Sequence, residues 1–242
     1  MRKYNYGSIL LILIVNAIIA GILQNIADGN LSFLSAFVAF IFDYIICRGL
    51  LYNREGGFSD YFRGIKTMTG KVFLMNILVG AITVILILLA TLVSGAGSMV
   101  IYGSAIESKW VLISLIVLYV LVTIFLSFIF AYMNFFMADE RYRDLTFFDS
   151  LMLIIKAGIK LFSKSFMVGV KAYKISLLTG AIALAAGILS MKAAGAVIFA
   201  IIFGFIAAIA FFFCTPTFRA RLSEIYMDRS EEIYNEVIGN KN

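Results

Sequence analysis

Residues 72–93 read VFLMNILVGAITVILILLATLV, twenty-two residues without an Asp, Glu, Lys or Arg. Bilayer hydrocarbon is roughly 30 Å thick, so a helix rising about 1.5 Å per residue crosses it with about 20 mainly apolar residues. Val72–Val93 meets that length. In lipid only a helix or a closed barrel satisfies its own backbone, and this run lacks the period-two alternation of a barrel strand. It predicts a transmembrane helix.

Working outward, Gly7–Ile26, Leu31–Leu51, Trp110–Met137, Ile175–Met191 and Ala193–Phe213 read the same way. The stretch 110–137 is longer than a span needs and should tilt or protrude. The stretch 175–191 is the shortest, with Lys171 and Lys174 at its start. Lysines snorkel toward headgroups, so its helix is expected to begin near Phe166. The fold class is all-α: a polytopic integral membrane bundle of about six transmembrane helices. Residues 1–216 form one transmembrane domain, followed by an amphipathic tail over 217–242.

Composition agrees. The chain is 62% hydrophobic and 14% charged, where soluble domains are about 45–50% apolar and about 25% charged. A soluble fold of this size leaves too much side chain at its boundary to hide that excess. There is no His, so the usual nitrogen ligand for zinc, copper or haem is missing and no cofactor or metal is expected. Cys47 and Cys214 lie in or at the end of apolar runs and read as small buried hydrophobes.

The basic residues set the orientation. Eighteen of the twenty fall before the first span, in 48–71, in 138–174 and after the sixth span; only Lys109 and Lys192 fall on the other side. Both termini and both long connections are therefore expected in the cytoplasm. The net charge of +6 is thus assigned to the membrane surface and not to nucleic acid. Arg2 and Lys3 before an apolar run also fit a signal peptide, but no polar cleavage region with small residues follows Ala20, so a retained span is expected.

Both long connections carry amphipathic patterns. In 58–68, Phe58, Tyr61, Phe62, Ile65 and Met68 share one face, with Ser59, Asp60, Arg63, Lys66 and Thr67 opposite. In 147–162, Phe148, Leu151, Met152, Ile155, Ile159 and Phe162 form a stripe, with Asp149, Lys156 and Lys160 opposite. Such helices beside a bilayer lie in its interface. The tail has a weaker face of Leu222, Ile225, Tyr226, Ile233 and Val237 and is more acidic, so it is expected to pack on protein or sit in solvent.

An internal repeat is also visible. FVAFIFDY at 37–44 resembles FLSFIFAY at 125–132. A charged turn and an amphipathic helix follow each, with Phe58-Ser59-Asp60 against Phe147-Phe148-Asp149. Both copies run in one direction, so the repeat would be parallel, an arrangement known in transporters.

Asp43 is the single acid deep in a span. An acid there costs about 2.5–3.5 kcal/mol on insertion scales and should face the bundle interior. Two readings fit: an ion or proton path, with Asn16 or Asn76 nearby, or a neutral carboxyl hydrogen-bonding across helices. GIKTMTGK at 64–71 is one residue too long for a phosphate loop and has Val72 where Ser or Thr must bind magnesium. The cations Arg48, Arg54, Arg63, Lys66, Lys71, Lys156 and Lys160 are better matched to anionic lipid headgroups, each worth about 1 kcal/mol near the surface. A specific lipid or phosphate ligand would fall on Arg48, Arg54 and Lys71. Small residues four apart, Ala17/Gly21, Ser176/Gly180, Ala183/Gly187 and Ala200/Gly204/Ala208, permit close helix approach. Spans five and six are expected to pair as a hairpin across a tight turn at Met191–Lys192.

The segment Met137-Ala138-Asp139-Glu140-Arg141-Tyr142, followed by an amphipathic helix that carries Asp149-Ser150, resembles uncharacterised bacterial six-span proteins similar to the membrane domain of some glycerophosphodiester phosphodiesterases. Phe58-Ser59-Asp60-Tyr61-Phe62-Arg63-Gly64 resembles a small Gram-positive membrane family. The resemblance implies a bacterial inner membrane and no activity, because the phosphodiesterase chemistry belongs to a separate soluble domain.

Two functional expectations follow. The first is a non-enzymatic protein that organises anionic lipid or partner proteins. The second is a transporter or permease subunit served by a separate ATPase. An intramembrane enzyme would need a nucleophile, base or metal, and with no His and no acidic pair the sequence supplies none.

Overall fold

The computed structural model describes residues 2–25, 32–102, 109–190 and 195–239; side chains are described over the same residues except 32–33, 91, 93–102 and 109–116. Every regular element among them is helical. In chain order these are α1 (Tyr6–Asn25), α2 (Ser32–Tyr52), α3 (Phe58–Phe62), α4 (Gly70–Tyr102), α5 (Lys109–Ile129), α6 (Met133–Ala138), α7 (Phe147–Ala172), α8 (Lys174–Ser190) and α9 (Ala196–Val237). Short 3₁₀ turns occupy Arg63–Thr67 and Glu140–Tyr142. The turn expected at Met191–Lys192 lies outside the described residues.

Among the described residues five stretches are long and apolar enough to cross a membrane: Tyr6–Asn25, Leu34–Tyr52, Gly70–Ala90, Val117–Ala138 and Ala196–Val237. A sixth arises if α7 and α8, which meet at 74°, count together. By itself α8 has 17 residues, about 26 Å of rise, slightly short of the hydrocarbon.

The chain divides into two compact units, Met1–Thr67 with Ser163–Glu231 and Met68–Phe162 with Glu232–Asn242. In each, burial gathers at the ends of the spans that carry the basic connections. On α1 it is confined to Ser8, Ile9 and Ile12. On α2 it runs from Phe42 to Leu50, and on α4 it takes Val72, Met75 and Val79. The far halves of α1 and α4 expose Ile18, Ile22, Leu88 and Leu92. These are surfaces for acyl chains, since water is a poor solvent for them.

Four boundaries differ from the sequence reading, each for a local reason. The helix expected over 58–68 is α-helical for five residues only and tightens to 3₁₀ at Arg63–Thr67. Three residues per turn takes Ile65 off the Tyr61 face; Ile65 is exposed and Tyr61 fully buried. Gly64 permits the tight turn beside α2, where a Cβ would stand 3.0 Å from Arg48 Cγ. The span expected over 110–137 breaks after Ile129. There the α7 backbone at Gly158 comes so close that a Cβ would lie 1.8 Å from the Ile129 carbonyl oxygen.

The interfacial helix expected over 147–162 runs to Ala172, and the next helix starts at Lys174 and not near Phe166. The break falls where a lysine-bearing segment gives way to an apolar one. Thr146 and Asp149 define its start, the Asp149 N–H donating to Thr146 Oγ1 at 3.2 Å and the hydroxyl to Asp149 Oδ2 at 2.7 Å. Finally, the tail is no separate element. Helix α9 continues through Pro216, which deletes one N–H from the ladder. Its buried residues Ala220, Leu222, Ser223, Tyr226, Ser230, Ile233 and Val237 recur at helical spacing, so the tail packs on protein.

The two halves of the expected repeat share a local tie. In one unit, Asn5 N–H and the Tyr61 hydroxyl donate to the Arg54 carbonyl (2.9 and 3.0 Å), and the Ser8 hydroxyl donates to the Gly56 carbonyl (3.1 Å). In the other, Lys71 Nζ donates to the carbonyls of Leu145 (2.6 Å) and Arg143 (3.3 Å). Arg143 and Leu145 stand eighty-nine residues after Arg54 and Gly56. In both copies the start of a span is pinned to the turn that follows the next span.

Candidate functional site

Helix α7 has three faces. Ser150, Leu153, Ile154, Ala157, Leu161 and Ser165 are buried, with the Gly158 contact among them. A second face exposes Phe148 (77%), Ile159 (60%), Phe166 and Val170, with Met152 at its edge. Along the border between these two run Lys156, Lys160, Lys164 and Lys171, all exposed. The expected apolar stripe is therefore split. Phe148, Met152 and Ile159 face outward, but Phe162 turns onto α5, its ring 5.4 Å from Phe125 and 5.9 Å from Phe128. The exposed stripe continues past 162 through Phe166 and Val170. The apolar stripe is flanked by lysines, on a helix bent 74° from the next one.

Of the α7 lysines, Lys160 carries ion pairs with Glu232 at 3.1 Å and with Glu236, both from the last turns of α9. Hydrogen bonds to Glu236 and Glu232 raise the Lys160 pKa. Tyr234, between those acids, sets its ring 5.2 Å from Tyr142.

The other cations have varied surroundings. Arg54 is a structural pin. It donates from Nε to the Lys3 carbonyl (3.0 Å), from Nη1 to Ser223 Oγ (2.6 Å), and from Nη2 to the Ala220 carbonyl (3.2 Å) and Glu224 Oε1 (3.1 Å). Its planar fork suits that many fixed acceptors. Burial lowers its pKa, while Glu224 and Tyr61 work against the shift. Arg48 lies over the Tyr52 ring at 3.9 Å. Lys71 is held by the Arg143 and Leu145 carbonyls. Arg63 is 77% exposed beside Asp60 at 3.6 Å, and Lys66 and Lys156 are exposed.

Asp43 does not meet the asparagines. Its Oδ1 is 2.6 Å from Arg219 Nη2, both half-buried. Near that pair α8 begins, and Tyr173 at the bend stacks on Phe211 at 4.6 Å and donates its hydroxyl to Thr215 Oγ1 at 3.3 Å. Asn76 Nδ2 donates to the Val72 carbonyl (2.8 Å) and to Asn134 Oδ1 (3.3 Å). Asn16 keeps its Oδ1 buried without a hydrogen-bond partner among the described residues.

Sequence reasoning missed Arg219 as the partner of Asp43, and Glu232 and Glu236 as partners of Lys160. A signal for the first was present: one acid deep in a span needs one cation, and Arg219 is the first after span six. Among the described residues no three His, Cys, Asp or Glu side chains come together.

The fold defines an α-helical multi-pass membrane protein in which α7 carries an exposed apolar stripe edged by lysines. No protein-family model matches the chain, and no curated protein or solved structure matches it.

Proposed function

We propose that this is a non-enzymatic protein of a bacterial cytoplasmic membrane that organises anionic lipid on the inner leaflet through α7, with its termini in the cytoplasm. One observation carries the reading: Phe148, Ile159, Phe166 and Val170 are exposed along one line of α7 with Lys156, Lys160, Lys164 and Lys171 beside it. An apolar face anchors such a helix by burial, and each lysine near an anionic surface adds about 1 kcal/mol. The bacterial location is drawn from the sequence resemblance, and the inner-leaflet position from the basic residue bias. The non-enzymatic part is supported by a sequence with no His and no paired acids.

The test reconstitutes the full chain in phosphatidylcholine vesicles containing spin-labelled phosphatidylglycerol or spin-labelled phosphatidylcholine. The protein should hold the anionic label at its surface about threefold more strongly. Replacing Lys156, Lys164 and Lys171 together by Gln, which leaves the Lys160 ion pairs intact, should at least halve that preference. An unchanged preference in the triple variant would sink the reading.

The Asp43–Arg219 pair favours a second reading, a transporter or permease subunit working with a separate ATPase, because intramembrane ion pairs mark substrate and ion routes. Copurification of an ATPase that is lost on Asp43→Asn would favour it over lipid organisation.

A further inference from the structure

A groove of about 550 Å³ is lined by Arg2, Lys3, Tyr4, Asn5, Tyr6 and Glu55, all in one of the two units. Its walls are fixed. The Lys3 carbonyl accepts from Arg54, and the Asn5 N–H donates to the Arg54 carbonyl at 2.9 Å. Asn5 Oδ1 accepts the Ser8 N–H at 3.0 Å. Tyr4 OH bonds Thr217 Oγ1 at 3.0 Å, and Tyr6 OH donates to the Phe213 carbonyl at 2.8 Å. Arg2 is committed to Asp228 at 3.1 Å.

Two charges are not committed. Among the described residues neither the Lys3 ammonium nor the Glu55 carboxylate has a partner, although opposite charges in one groove could have paired. The Asn5 side-chain N–H₂ is likewise free, because its oxygen alone caps α1. The groove sits at the first turn of α1, the depth where tyrosines mark the membrane–water boundary. A groove lined by a free cation, a free amide donor, a free carboxylate and two tyrosines held by their hydroxyls is complementary to a zwitterion.

We infer that this groove binds a zwitterionic phosphoethanolamine headgroup at the basic end of α1. Lys3 Nζ and Asn5 Nδ2 donate to the phosphodiester oxygens. Glu55 accepts from the primary ammonium, whose positive charge also suits the Tyr4 and Tyr6 ring faces. A quaternary ammonium has no N–H to give Glu55, and an anionic headgroup without an amine leaves Glu55 unpaired beside the phosphate. The primary amine is therefore the discriminating group. The inference goes beyond the α7 reading and uses none of its residues.

Native mass spectrometry of the full chain in detergent micelles tests it, with phosphatidylethanolamine, phosphatidylcholine and phosphatidylglycerol of identical acyl chains. Wild type should retain phosphatidylethanolamine at least threefold over the other two. Glu55→Gln should remove the preference, Glu55→Asp should keep at least half of it, and Lys3→Gln should weaken retention of ethanolamine and choline lipids alike. Since neither side chain has a partner, the thermal unfolding midpoint of each variant should match wild type, which keeps a folding defect from imitating the result. Displacement by added glycerophosphoethanolamine assigns the ligand to the headgroup alone; no displacement assigns it to the whole lipid. Equal retention of the three lipids by wild type, or a preference that survives Glu55→Gln, overturns the inference.

Discussion

At Gly158 the α7 backbone rests on the last carbonyl of α5, with no space for a methyl group. Gly158→Ala should destabilise the protein by about 2 kcal/mol or more, because overpacking of a closed contact forces backbone shifts. Denaturant unfolding in detergent measures it. An unchanged midpoint would mean the two helices do not meet there. Tyr61 gives a pH prediction. Its ring lies against Gly49 and its hydroxyl donates to the Arg54 carbonyl, and burial pushes its pKa up to about 12, with Arg54 opposing. The folded pKa lies above the usual tyrosine value of 10.0, so this stabilisation is complete below about pH 10 and is lost as pH rises toward about 12. Tyr61→Phe should flatten the stability profile across that window while lowering stability at neutral pH by about 1 kcal/mol for the lost hydrogen bond. A slope of equal size in both proteins would place the titration elsewhere. Asp43→Asn leaves Arg219 half-buried without its counter-ion and should cost on the order of 3 kcal/mol. The exchange of Asp43→Arg with Arg219→Asp should recover much of that, and no recovery would deny the pair.

The hairpin of α8 and α9 is legible from spacing alone: Ser176, Gly180 and Ala183 on α8 and Gly204 on α9 fall at four-residue intervals of small residues. In the structure Ser176 Oγ donates to the Ala207 carbonyl at 2.8 Å, a Cβ at Gly180 would lie 3.9 Å from Ala207, and one at Gly204 would lie 4.0 Å from Ala183. Gly180→Leu should push the two helices apart, and a disulfide between cysteines placed at Ser176 and Ala207 should then form more slowly than in the parent. Equal rates would contradict the close approach. Spacing reveals such contacts because a helix repeats every 3.6 residues whatever surrounds it. It could not reveal the break at Ile129, which meets a glycine twenty-nine residues further along. Nor could it tell which flank of α7 packs on protein and which stays exposed. Both flanks are apolar, and Phe162 differs from Ile159 only in having Phe125 and Phe128 nearby. The boundary at 216 was not legible for a related reason: proline usually ends a helix, but α9 continues through Pro216, with packed residues on both sides of it.

For the whole molecule, apolar runs and the placement of cations made the spans legible, because length against bilayer thickness is a one-dimensional property. Charge pairing was not legible, because it joins residues far apart in sequence, as Arg54 with Glu224 and Lys160 with Glu236. The repeat stands between these cases: the Phe-rich octapeptides are visible in sequence, and the turn after each accepts hydrogen bonds at its carbonyls, but from the Asn5 N–H and the Ser8 and Tyr61 hydroxyls in one unit and from the Lys71 ammonium in the other. The account depends most on α7 lying within the interface, neither in water nor sealed inside protein. In a Cys47→Ala, Cys214→Ala background, a nitroxide at Ile159 of the reconstituted full chain reports that depth through its collisions with oxygen and with a water-soluble nickel chelate. The account predicts that oxygen reaches the label readily, that the chelate is largely excluded, and that a label at Lys156 shows the opposite balance. Ready access of the chelate to Ile159, equal to its access to Lys156, would contradict it.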